Sequence, residues 1–189
     1  FRLARIAGGF FLAAAAAAVL AALAAALDTV EVLLRPLILV VKTTPVASFI
    51  ILALVWLPSR NLSVFISFLM VLPVVYTATL AGIRHTDPQL LEMARVFRLP
   101  PARRVRAIYL PETMPYFVSA CSTALGLAWK SGVAAEVIGL PDGSIGEALY
   151  QAKVFLTMPE LFAWTVVIIL ASMLFERAVL RLLRWAAAR

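Results

Sequence analysis

The sequence predicts an all-α, polytopic transmembrane helix bundle of about five spans, and three observations predict it. The chain is 63% hydrophobic and 14% charged, whereas a soluble domain is about half apolar and about a quarter charged. Its mean hydropathy is +0.99, with the apolar residues gathered into long segments. The basic residues cluster between those segments, as membrane topology demands. The net charge of +7 therefore reads as membrane orientation, and nucleic-acid binding is set aside.

The first apolar run, Gly8 to Leu27, is 20 residues long and reaches roughly 30 Å as a helix, the thickness of the hydrocarbon core. The opening FRLARIAGGFFLAAAAAAVLAALAAAL also has a rival reading as a signal peptide, with Ala-x-Ala sites after the apolar run. That run exceeds the usual apolar core of about 7–15 residues, and a retained span is the stronger reading. The chain opens at Phe1, so an upstream portion is expected. DTVEVLLRPLILVVKTT follows, an amphipathic stretch with Asp28, Glu31, Arg35 and Lys42. Pro36 is expected to bend it at an interface. The second span, Pro45 to Leu57, is short unless its neighbours contribute. Ser59-Arg60-Asn61 reads as a tight turn before a third span, Leu62 to Ile83, that contains Pro73.

A basic insert, Arg84 to Pro111, separates this half from the next. The fourth span is expected from Pro115 past Trp129, with Ser119, Ala120, Ser122, Ala124, Gly126 and Ala128 suited to close helix packing. GLPDGSIG at 139–146 reads as a turn or loop, and 147–158 as a short amphipathic piece. The last span runs from Pro159 to Phe175, followed by a helix with Arg177, Arg181 and Arg184. Cys121, the one cysteine, is expected to pack as a small residue. Trp56, Trp129, Trp164 and Trp185 fall mostly near predicted span ends and read as interfacial anchors. All of residues 1–189 form one domain, with 84–111 as a loop within it.

Five spans put 28–43, 84–111 and the C-terminal tail on one side, and those segments hold 12 of the 17 Lys and Arg residues. Arg2, Arg5, Arg60 and Lys153 fall opposite, with Lys130 in or near the membrane. By the positive-inside rule the basic insert is cytoplasmic.

The insert itself is not a plain loop. Thr86-Asp87-Pro88 is a helix start, with a capping side chain and proline in the first turn. Leu90, Leu91, Ala94 and Phe97 recur at helical spacing and form one apolar face. Pro100 and Pro101 end that helix. Ala102 to Tyr109 is expected to form a second helix, closed by Leu110-Pro111 before the next span. Such a two-helix knob of mixed apolar and basic surface suits docking into a groove of a soluble partner.

Glu92-Met93-Ala94, with Ile108-x-Leu110-Pro111 in register, resembles the EAA loop of ABC-importer permeases, the binding-protein-dependent type I membrane subunits. The pattern there is Glu-Ala-Ala, three residues, Gly, nine residues, then Ile-x-Leu-Pro. LLRPLILVVKTTPVASFIIL is similar to the region preceding that family's third span, and the resemblance points to the nitrate, sulfonate, taurine and pyrimidine-precursor branch. Two positions depart: Met93 replaces the middle Ala, and Arg98 stands where the family has its turn Gly. A positive φ is costly for Arg, so Pro100-Pro101 is expected to make the break instead.

The resemblance implies a permease subunit of an ATP-driven importer. Glu92, Ala94, Phe97, Arg98, Leu99, Pro100, Arg103, Arg104, Ile108, Leu110 and Pro111 would form the surface that couples to a cytoplasmic ATPase. ATP and Mg would then sit on the partner, with no cofactor bound here. The residues agree, for the chain has no Gly-x-x-x-x-Gly-Lys phosphate loop and His85 is its one histidine. A second permease copy and an extracytoplasmic substrate-binding protein are the other implied partners, besides the bilayer.

Lys130 and Glu136 are ionisable residues close to the bilayer, and Thr44 and Ser48 are polar residues just before and within the second span. These four are the candidates for lining a substrate pathway. For Lys130 the alternative is snorkelling, and for Glu136 a place at the outer boundary. An ion-driven secondary transporter is the rival function, but it would want paired acidic residues at mid-membrane or inverted repeats, and the sequence has neither.

Overall fold

The structure, a computed structural model, describes residues 3–187, and every regular element among them is helical. In order these are α1 (Leu3–Ala26), α2 (Asp28–Thr43), α3 (Val46–Trp56), α4 (Ser59–Arg84), α5 (Pro88–Val96), α6 (Pro101–Arg104), a π-helical turn (Val105–Tyr109), α7 (Leu110–Gly139), α8 (Ile145–Val154) and α9 (Met158–Ala187). Ala4–Ala26 and Ser59–Arg84 are each long and apolar enough to cross a membrane. The pair α2 and α3 makes a third candidate span, bent by 105° at its break. The helices α7 and α9 are 30 residues each. Arg2 and Arg189, both used in the charge count, lie outside the described residues, as does the side chain of Arg184.

Several boundaries differ from the sequence reading, each for a local reason. Ser59-Arg60-Asn61 is not a turn but the first turn of α4, because Pro58 takes the extended cap conformation (φ −62°, ψ 141°) and releases the helix at Ser59. Pro36 lies inside an unbroken α2. The bend falls instead at Thr44-Pro45, where the proline holds Thr44 in an extended conformation (φ −80°, ψ 132°). Leu110-Pro111 does not close the second helix of the insert: Pro111 sits in the first turn of α7, directly after the π-helical turn. Leu110 N–H donates to the Val105 carbonyl five residues back, and this wider turn gives the proline ring room.

The core is three helices. The buried face of α1 is Ile6, Phe10, Ala13, Ala17, Ala21 and Ala24, at three- and four-residue spacing. Its alanines let the backbone of α4 come close, which is how helices associate where lipid removes the hydrophobic drive. The helices α4 and α7 run antiparallel. Ser67 Oγ bonds the Ala128 carbonyl at 3.1 Å, and Gly82 lies against Thr113 and Tyr116. Cys121 is buried in the same seam. Trp129 is buried too and packs on Phe175 with ring centroids 5.8 Å apart, so it is a core residue rather than an interfacial anchor.

Candidate functional sites: a knob and a polar groove

Two features stand out from this core. The first is the knob formed by α5, α6 and the π-helical turn. Asp87 caps α5 as its composition requires, accepting from Gln89 N–H at 2.8 Å, with Pro88 at the first helical position. The helix ends in a hydrogen-bonded C-terminal motif: Arg98 N–H donates to the Arg95 carbonyl at 3.0 Å, and Leu99 N–H to the Ala94 carbonyl at 2.9 Å. That motif needs a left-handed residue, and Arg98 takes it at φ 48°. The turn expected of glycine is therefore made by arginine. The two prolines start the next segment, Pro100 as its extended cap and Pro101 in its first turn. The physical reason is that the two bonds closed by the turn outweigh a left-handed penalty of about 1–2 kcal/mol.

The apolar residues of α5 divide into two faces. Leu90 and Leu91 are half-buried and Ala94 is fully buried. Met93, Val96 and Phe97 point away, with Val96 and Phe97 exposed at 78% and 71%. Phe97 thus leaves the face that helical spacing assigned to it, and Met93 and Val96 join it on a surface the sequence reading missed. Glu92, Arg98, Pro100, Arg103, Leu110 and Pro111 are exposed, Leu99 and Arg104 half-buried, and Ile108 buried. The free surface of the knob is therefore an apolar tip edged by guanidinium groups, while Ala94 and Ile108 hold it together from inside.

The second feature is a groove of about 410 Å³ beside the α4–α7 seam. Thr77 enters it from α4, and Tyr116, Ser119 and Thr123 from α7. The α7 residues recur at three- and four-residue spacing and so share one face, which Lys130 extends two turns further. Tyr116, Ser119, Thr123 and Lys130 are all exposed. From α2, Lys42 Nζ donates to Thr77 Oγ1 at 3.4 Å. The Thr77 hydroxyl in turn donates to the Pro73 carbonyl at 2.8 Å.

The four residues expected to line a pathway are not brought together. Thr44 sits at the α2–α3 bend, its hydroxyl donating to the Val40 carbonyl at 2.7 Å, and Ser48 is exposed one turn into α3. Glu136 is 6% exposed and accepts from Gly146 N–H at 3.5 Å, where α8 folds back on α7. Lys130 alone shares a face with the groove. Thr77 and Thr123 escaped the sequence reading because isolated hydroxyls in an apolar run usually bond their own helix, and Ser119, expected to pack against a neighbouring helix, is exposed to the groove instead. Only the antiparallel register of α4 and α7 aligns them.

Residues 9–189 match the family model described as the binding-protein-dependent transport system inner membrane component. A nitrate import permease protein of Synechococcus elongatus is 32% identical over 120 residues, covering 63% of this chain and 43% of that protein. A Bacillus subtilis protein named for aliphatic sulfonates transport is 27% identical over 96% of this chain and 67% of its own length. A bicarbonate transport system permease protein of Synechococcus elongatus is 24% identical over 97% of this chain and 66% of its own length. The chain thus spans between about two-fifths and two-thirds of these relatives.

Proposed function

This chain belongs to the family of binding-protein-dependent transport system inner membrane components, and on that premise we propose that it is the permease subunit of an ATP-driven importer for a small solute. The nitrate, sulfonate and bicarbonate named for its relatives make a small anion the cargo we favour. The observation that carries the coupling role is the exposed tip of Met93, Val96 and Phe97 beside Arg95 and Arg98. An apolar helix face left uncovered on a basic knob has the form of a helix made to seat in a groove. The partner in this reading is a cytoplasmic ATPase subunit that carries ATP and Mg. A bacterial inner-membrane setting, five spans with the knob on the cytoplasmic side, and an extracytoplasmic binding protein complete the assembly.

The α4–α7 groove supports the pathway half of the reading. Lys130 is exposed on a helix that packs beside two membrane-length helices, and an ammonium inside a bilayer is stable only against water or a polar neighbour. A second permease copy facing this groove would enclose the water. ATP-driven closure of the ATPase pair moves the knobs, and the differential contact energy between the two states selects which side the pathway opens to.

The decisive experiment replaces Glu92 or Leu99 by a bulky or oppositely charged residue in the assembled transporter. Membrane insertion should survive while ATP hydrolysis and uptake part company. Unchanged uptake in both variants would overturn the coupling role of the knob.

A further inference from the structure

Lys42 occupies an unusual place for a cation in an apolar chain. It lies in the last turn of α2, at the break of the bent pair. Its partner Thr77 is seven residues before the end of α4, about 10 Å in from the knob end. No carboxylate lies within salt-bridge distance of it among the described residues; Glu31, on the same helix, is taken by Arg84. One ammonium proton goes to Thr77 Oγ1. The Thr77 hydroxyl proton is already committed to the Pro73 carbonyl, so Thr77 meets Lys42 as an acceptor and aims it. Lys42 does not itself line the groove that Thr77 shares with Ser119 and Thr123; it stands at the edge through its contact with Thr77, with ammonium protons to spare. An ammonium and short hydroxyls around about 410 Å³ suit an anion with several acceptor oxygens and part of its hydration shell. They do not suit a cation, while Tyr116, Val74, Ala78 and Ala120 add an aromatic and apolar wall, so a small organic anion such as a sulfonate fits as well as an inorganic one.

We propose that Lys42, aimed by Thr77 and assisted by the Ser119 hydroxyl, is an oxyanion-binding station at the edge of the α4–α7 groove and sets the charge selectivity of the pathway. This rests on the permease reading above and adds to it a residue-level site. Lys42 is the binding residue, Thr77 a positioning residue, and Lys130, further along the same face, a second cation on the route.

The test needs neither cargo nor ATP. In purified full-length protein with Cys121→Ala, Thr123→Cys is labelled by a negatively charged sulfonatoethyl methanethiosulfonate or by its positively charged trimethylammonium counterpart. The anionic reagent is expected to react faster by about fivefold or more, relative to the two rates on free cysteine. Lys42→Met should bring the ratio to about one, Lys42→Arg should keep it, and Thr77→Val should lower it without changing the charge. A ratio untouched by Lys42→Met, or no labelling by either reagent, overturns the station. Lys42→Arg guards against a variant that simply misfolds. In parallel, uptake of nitrate and ethanesulfonate is measured with the ATPase and binding protein present. Charge-selective labelling without any ATP-driven uptake would sink the importer reading while the groove's selectivity stands. Full uptake by Lys42→Met would sink the station alone.

Discussion

Ser67 Oγ donates to the carbonyl oxygen of Ala128 at 3.1 Å, a buried hydrogen bond that ties α4 to α7. Beside it, side chains of α1 and α4 close on the backbone of α7. A Cβ added to Gly132 would lie 3.0 Å from Ser67 Oγ and 2.9 Å from Ile6 Cδ1, while one added to Gly126 on the same helix would meet nothing within 4 Å. Gly132→Ala is therefore expected to destabilise the bundle by about 1–3 kcal/mol through overpacking. Gly126→Ala should stabilise it by about 0.5–1 kcal/mol through helix propensity. Ser67→Ala removes an interhelical bond worth about 0.6 kcal/mol in a membrane. Thermal unfolding of the three variants in detergent checks the order; equal melting temperatures for the two glycine variants would refute the close approach.

Arg98 holds a left-handed conformation, at φ 48°, that glycine adopts without penalty. Arg98→Gly is expected to stabilise the end of α5 by about 1 kcal/mol. Hydrogen exchange of the Leu99 amide, which is bonded to the Ala94 carbonyl, should slow by about fivefold. Faster exchange would mean that the arginine side chain contributes more than its backbone costs.

Val96 and Phe97 form the uncovered tip of the knob. A Val96→Asp, Phe97→Asp double variant should insert and fold with an unchanged melting temperature, because neither side chain packs inside. It should fail to co-purify with the ATPase subunit, a loss of about tenfold or more in affinity for an apolar anchor of this size. Retained co-purification would move the docking surface elsewhere.

Arg84, in the last turn of α4, pairs with Glu31 in the first turn of α2. The arginine side chain is 51% exposed, so a double-mutant cycle with Glu31→Gln and Arg84→Gln should return a coupling of about 0.3–1 kcal/mol that falls with salt. A coupling of zero at low salt would show that the pair does not brace α2.

The parts of this molecule legible in sequence are those set by local chemistry. The start of α5 was written in Thr86-Asp87-Pro88, and the knob in a basic, proline-split run between apolar segments. The loop at 140–144 and the apolar membrane helices followed in the same way. What sequence hid depends on register or phase. The alanine run of α1 is apolar on every face, so nothing in it marks which face α4 covers. Phe97 fits the inward stripe by spacing, yet the chain turns outward one residue before Arg98. Thr77 and Ser119 lie 42 positions apart in the chain and meet only because α4 and α7 pair antiparallel. Pro111 reads as a stop, and only the π-helical turn before it lets the helix continue.

From Pro101 to Gly139 no residue leaves the helical conformation. The second half of the knob is thus the start of a helical run about 58 Å long, and α5 joins it through the turn at 97–100. A continuous helical run carries twist as well as push from Arg103 toward Ser119 and Thr123. Two places interrupt its regular ladder, the wide coil at 105–109 and Pro115, and they set how much of that twist arrives.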